Sequence, residues 1–179
     1  MEAQNPAALV ASAKDAYQAA DYMAAAQGFS RAAGAYQQQG DALMAAEMRN
    51  NYSVALLQSG DAQAALEAVA GTEDIFAAAA DRRRQAMALG NRAAALDALD
   101  RYQEAEAAYL DSAELLRQAG EKELLADVMQ SLSRLQLRTG RQLQAVASMH
   151  SALEQVEHPG LRQRMLKKLL DLPSKYLNR

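Results

Sequence analysis

The feature that most limits what this chain can become is a repeat: the sequence slides onto itself in steps of forty residues without a gap. Ala25, Ala65, Ala105 and Ala145 coincide, and four residues on Phe29, Val69, Tyr109 and Met149 coincide as larger apolar groups. Three further on, Ala32, Thr72, Ser112 and Ala152 coincide as small ones. An alanine where two helices cross lets their axes approach to about 8 Å, and the large residue one turn later fills the adjoining groove. A finer division runs at twenty residues. Gly40, Gly60, Gly120, Gly140 and Gly160 fall on multiples of twenty, with Ala20, Ala80 and Asp100 at the others. Glycine there ends a helix by taking the left-handed conformation a C-terminal cap needs. Each forty-residue unit therefore reads as two helices and a turn, and a unit so small becomes stable only when neighbours stack on its apolar stripe.

The clearest unit is residues 81–120. Met87, Leu89, Ala93 and Leu96 share one face, the pattern breaks at Asp100 and Arg101, and Tyr102, Ala105, Tyr109 and Ala113 resume at helical spacing. These residues resemble the tetratricopeptide repeat (TPR): a small residue early in the first helix (Ser53, Ala93, Ser133), Gly-Asp or Asp-Arg at the turn, then alternating aromatic and alanine positions in the second. The period exceeds the usual repeat of about 34 and is similar to the long-repeat branch of kinesin light chains and LGN-type adaptors. Gly90-Asn91 followed by Ala93 resembles the Gly-Asn-Leu-Gly run of the latter. The motif's tryptophan and terminal proline are absent. The resemblance covers about residues 6–158. It implies an all-α TPR solenoid of four antiparallel helical hairpins with a C-terminal capping helix, in a single domain over residues 1–172. Repeats then lie at about 1–40, 41–80, 81–120 and 121–160, the capping helix at about 160–172, and a tail at 173–179.

Composition agrees with a thin stack. Half the residues are apolar but only 5% are aromatic, and the absence of cysteine excludes disulfides and thiolate chemistry. The first ten residues carry no basic segment before an apolar run, and the longest apolar run, Ile75 to Ala80, is far too short to cross a bilayer. The expected setting is cytoplasmic. Formal charge is uneven: residues 1–80 hold three basic and nine acidic side chains, net −6, and residues 81–179 hold sixteen and thirteen, net +3. Such a gradient could orient a partner or favour head-to-tail association, against the simpler reading of an unevenly charged solvated surface.

Local signals refine the picture. Asn5-Pro6 reads as an N-cap followed by proline at the first helical position. Gly28 and Gly34 lie inside a helix, so either close packing requires them or the first unit is the least stable. Gly71-Thr72 interrupts the second helix of the second unit and predicts a break near residue 71. Residues 161–170 mix Arg162, Arg164, Lys167 and Lys168 with five apolar residues, an amphipathic basic helix suited to sealing the end of the stack.

In TPR stacks the first helix of each hairpin lines the concave side, where the resemblance places ligands. The inward positions by period are Ala7, Val10, Ala11 and Lys14; Glu47, Asn50, Asn51 and Val54; Met87, Gly90, Asn91 and Ala94; and Asp127, Gln130, Ser131 and Arg134. The candidate peptide-binding residues are Lys14, Asn50, Asn51, Asn91, Gln130, Arg134 and Arg138. Asn51 and Asn91, forty apart, occupy the position where many TPR proteins grip an extended peptide backbone. An amide both donates and accepts, matching a peptide C=O and N–H together. The competing reading leaves both merely exposed or capping local backbone. The dicarboxylate clamp of chaperone-binding TPR proteins is not expected, because its basic positions hold Val10, Met87 and Asn91.

Catalysis, cofactors and metals are not expected. His150 and His158 stand eight apart without a metal-ligand motif, paired acids such as Glu104 and Glu106 read as surface, and glycines fall at helix joints rather than in a phosphate loop. The expectation is a non-enzymatic adaptor or scaffold that takes an extended peptide or partner helix in its groove, with no nucleic acid and no membrane. The alternative is an assembly subunit docking through its convex face or basic C-terminal helix, including onto a second copy of itself.

Overall fold

The computed structural model describes residues 5–156, 160 and 164–165. The expected capping helix and tail, and His158, therefore lie outside the described residues apart from Gly160, Arg164 and Met165. Among the described residues nine helices follow one another: α1 (Pro6–Gln18), α2 (Tyr22–Gln38), α3 (Ala42–Gln58), α4 (Ala62–Val69), α5 (Thr72–Ala78), α6 (Arg82–Ala98), α7 (Tyr102–Ala119), α8 (Lys122–Arg138) and α9 (Gln142–Gln155). Consecutive long helices pack on one another, and α4 and α5 together fill the place of one, both contacting α3 and α6. The result is an all-helical, repeat-like fold.

Helix ends follow the twenty-residue rule even where glycine is missing. Ala20, Gly40, Gly60, Ala80, Asp100, Gly120 and Gly140 all have positive φ, between Ala80 at 56° and Gly60 at 92°. This left-handed residue turns the chain so that the next N–H reaches back to the carbonyl five residues earlier, as from Asp41 to Tyr36 (3.0 Å), Arg101 to Leu96 (3.0 Å) and Arg141 to Gln136 (2.8 Å). Those bonds satisfy carbonyls that the helix end would leave unpaired. The following residue starts the next helix. Asp21, Asp41, Asp61 and Asp81 each accept from the N–H three residues on, at 3.1, 3.0, 3.0 and 2.9 Å, the N-cap bond that aspartate makes well. Arg101, Glu121 and Arg141, at the equivalent places, make no such bond. Asn5 caps α1 as its sequence predicts, accepting from Ala7 N at 3.1 Å.

The core is a row of clusters along the stack, one over α1–α4 that reaches Ala95 of α6, one over α6–α9, and a small one of Ala46, Val69, Phe76 and Ala88 between. The small–large–small triplets supply much of it. Ala25, Ala65 and Ala105 are fully buried, as are Ala32, Thr72 and Ser112, with Phe29, Val69 and Tyr109 between them at most 4% exposed. In two of the units the small residue of the first helix adds a bond across the pair: the Ser53 hydroxyl donates to Ala65 O and that of Ser133 to Ala145 O, both at 2.7 Å. Such a buried bond contributes about 1 kcal/mol net. Gly28 is required by close packing, since a Cβ there would stand 2.7 Å from Ala13 Cβ, whereas Gly34 faces open space.

The predicted break appears at residues 70–71, with Gly71 left-handed at φ 73°. Arg49 stabilises the severed end, donating to Ala68 O at 3.1 Å and to Ala70 O at 2.7 Å. A cation at a helix C-terminus also suits the helix dipole.

Candidate functional site

Three hollows lie along the first helices, and the first and third are equivalent, since Lys14, Tyr17, Phe29, Asn51 and Val54 stand eighty residues before Ala94, Asp97, Tyr109, Ser131 and Arg134. One of about 230 Å³ opens between α1 and α3, lined by Lys14, Tyr17, Asn51 and Val54 with Phe29 beneath. A second, of about 260 Å³, lies between α6 and α8, bordered by Met87, Gly90, Asn91, Asp127 and Val128. The third, about 560 Å³, continues from it past Asp97, Arg134, Leu137 and Arg138, and both share Ala94, Tyr109 and Ser131. Phe29 and Tyr109, eighty apart, form equivalent floors. The forty-residue period thus sets walls and floor together.

Of the residues singled out from sequence, Lys14, Asn51, Asn91, Arg134 and Arg138 line these hollows. Gln130 is exposed but borders none of the three. Asn50 needs correction. It is only 6% exposed, and its Oδ1 shares the Thr72 hydroxyl (2.9 Å) with Val69 O (2.7 Å). The break after Val69 delivers Thr72 to it, so Asn50 is a packing residue. Neither the Asn51 nor the Asn91 side-chain amide is hydrogen-bonded to another described residue. Sequence reasoning missed Tyr17 and Leu137 as lining. They stand one turn beyond Lys14 and Arg134, so extending the inward face by a turn would have found them.

The polar end of the third hollow is organised by Asp97. Arg138 pairs with its carboxylate and lies over the Tyr102 ring, 5.3 Å from its centroid. Burial nevertheless holds the Asp97 pKa above the usual carboxylate range, outweighing the attraction of Arg138 and Arg134. Burial likewise pushes the Tyr109 hydroxyl up to about 12, with Asp97 adding to the effect, so Tyr109 stays neutral. Arg134 is exposed; its Nη2 donates to Ser131 Oγ at 3.0 Å, and no carboxylate among the described residues is in ion-pair contact with it.

Away from the hollows, Glu106 is not the surface acid its sequence position predicts. Arg141 pairs with it, Gln136 Nε2 donates to it at 3.1 Å, and Ser148 Oγ donates to Gln136 Oε1 at 2.8 Å. Burial opposes the Glu106 charge, but these donors together lower its pKa. Glu104 is exposed and pairs with Arg101. His150 Nδ1 stands 3.7 Å from Glu154 Oε1, one helical turn on.

No helix among the described residues is long and apolar enough to cross a membrane. No family model matches the chain, and no curated protein does. Among solved structures it is similar to BtubC (BKLC) from P. vanneervenii, with a TM-score of 0.61 and 16% identity over 95% of this chain and 83% of that one. At that identity the likeness shows the fold alone, an all-helical repeat-like one.

Proposed function

We propose that the chain is a TPR-type stack of four helical hairpins acting as a non-enzymatic adaptor or scaffold, which takes an extended peptide or partner helix along the face of α1, α3, α6 and α8. The observation that carries this is the pair Asn51 and Asn91, forty residues apart: each amide lines a hollow, and neither is hydrogen-bonded to another described residue. A polar side chain left unbonded at the edge of an apolar cavity is suited to a ligand backbone, which offers a donor and an acceptor together. The motif residues support the TPR assignment, because Ser53 and Ser133 make the same cross-helix bond forty × two residues apart.

Co-purification from the native host, comparing wild type with the Asn51→Ala/Asn91→Ala double variant, tests the reading. A partner lost only in the variant supports it. A partner retained equally by both argues instead for assembly through the outer face, which the exposure of Leu110 (50%), Leu143 (88%) and Val146 (46%) favours as a second reading.

A further inference from the structure

A fourth hollow, of about 340 Å³, opens where α4 breaks from α5, lined by Leu66, Ala70 and Gly71 from the broken helix and by Arg92, Leu96 and Arg101 from α6 and the joint after it. It shares no lining residue with the three along the first helices. Glu73 also lines it. Its Oε1 accepts from Arg92 Nη1 at 3.1 Å, but Oε2 is buried without a hydrogen-bond partner among the described residues, an unfavourable state for an acceptor. Forty residues on, the chain closes the same place itself. Leu66, Leu96 and Arg101 become Glu106, Gln136 and Arg141, where Glu106 holds the other two, and the Glu73–Arg92 pair becomes the buried apolar pair Ala113 and Leu132. Polar and apolar positions have changed places. An apolar pair serves packing at least as well as a part-buried ion pair, so packing does not account for Glu73 and Arg92.

We propose that this hollow is a docking point for a tyrosine side chain of a partner protein, its ring against Leu66 and Leu96 and its hydroxyl donating to Glu73 Oε2. Arg92 is paired with Glu73 and Arg101 with Glu104, and Arg49 is taken up by the carbonyls of Ala68 and Ala70, so the hollow offers no cation to an anionic group. Each lining guanidinium still has N–H groups to spare, since Arg92 uses Nη1 and Arg101 uses Nε and Nη2. Together with Oε2 they call for a neutral group that both donates and accepts, and the leucines call for an apolar body. A phenol supplies both. A side-chain amide lacks the apolar body, phenylalanine lacks the donor, and an indole lacks the acceptor. The site stands apart from the groove and does not depend on it.

The test titrates blocked tripeptides, an alanine on each side of tyrosine, phenylalanine or O-methyltyrosine, into the isotope-labelled full chain and follows its amide NMR signals. The tyrosine peptide is expected to shift the signals of Leu66, Gly71 and Leu96 and to bind about tenfold more tightly than the other two, as a hydrogen bond to a charged group allows. Glu73→Ala/Arg92→Leu, which copies the pair at Ala113 and Leu132, should fold with unchanged or higher resistance to urea and lose the preference for tyrosine. The wild-type comparison stands whether or not that variant folds. Asn51→Ala/Asn91→Ala should leave the preference intact, which separates the fate of this site from that of the groove. Equal binding of the three peptides, shifts confined to other residues, or a tyrosine preference that survives Glu73→Ala/Arg92→Leu overturns the proposal. Binding of p-cresol in the hollow without binding of the tyrosine peptide overturns the protein source in favour of a small phenol. No binding of any probe overturns the docking point altogether.

Discussion

The joints at residues 20, 40, 60 and 80 and those at 100, 120 and 140 share one backbone turn but start the next helix by different chemistry. The first four hand over to aspartate, whose carboxylate binds an unpaired N–H of the new helix. The last three hand over to Arg101, Glu121 and Arg141, whose side chains reach elsewhere: Arg101 to Glu104, Glu121 to Arg83 and Arg141 to Glu106. The charge imbalance of the sequence has a local origin in this difference. Three of the nine acids in residues 1–80 are helix caps, while arginines of the later units tie one hairpin to the next, as Arg84 does to Glu47 and Arg138 to Asp97. The early helix starts are closed by their own aspartates, whereas the later starts lack that bond and the arginines of the later units supply ion pairs across units.

The strongest way to break this comparison is to remove caps. Asp41→Ala and Asp61→Ala should each destabilise by about 1 kcal/mol. The double variant should lose about 2 kcal/mol, since the sites share no partner; urea denaturation reads both. Arg101→Ala, at an uncapped start, should have the smaller effect, and an equal one would abolish the distinction.

A second test is acid. The lowered pKa of Glu106 makes its contribution fully present above the ordinary carboxylate pKa and lost as pH falls through the folded value. Asp97 is the reverse: its raised pKa means that burying the charge costs stability above the folded value, a cost that disappears below the unfolded one. As pH falls through the carboxylate range, the stability advantage of wild type over Glu106→Gln should shrink. Over the same range wild type should gain on Asp97→Asn. Parallel behaviour of the two pairs would contradict the opposed shifts. The smallest expected effect sharpens the comparison: Glu121→Asp should install the missing cap and stabilise by about 0.5 kcal/mol. Its pair with Arg83 is half-exposed and worth little.

What was legible in the sequence is what repeats or acts locally. The left-handed positions, the Asn5 cap, the break at Gly71 and the small–large–small triplets all depend on neighbours within a turn or on the forty-residue period. Asn50 was not legible, because adjacent residues on a helix diverge by about 100° and only Thr72, twenty-two residues on, decides which of Asn50 and Asn51 is drawn inward. The Glu106 network has the same cause. It joins residues up to 35 apart and places buried Gln136 where the two preceding units carry Leu56 and Leu96, a single departure from the period that only the fold interprets.

Each joint pairs a left-handed residue with a helix starter, and the left-handed slot holds glycine, alanine or aspartate alike. Such a chain is assembled from parts with interchangeable ends. Joining Gly40 to Asp81 would recreate the Gly-Asp pair of residues 40 and 41 and present α2 with a helix already capped. In a stack where each unit touches only its neighbours, recombination at these joints can shorten or lengthen the face in whole units, so that reach becomes a matter of copy number rather than of new folding.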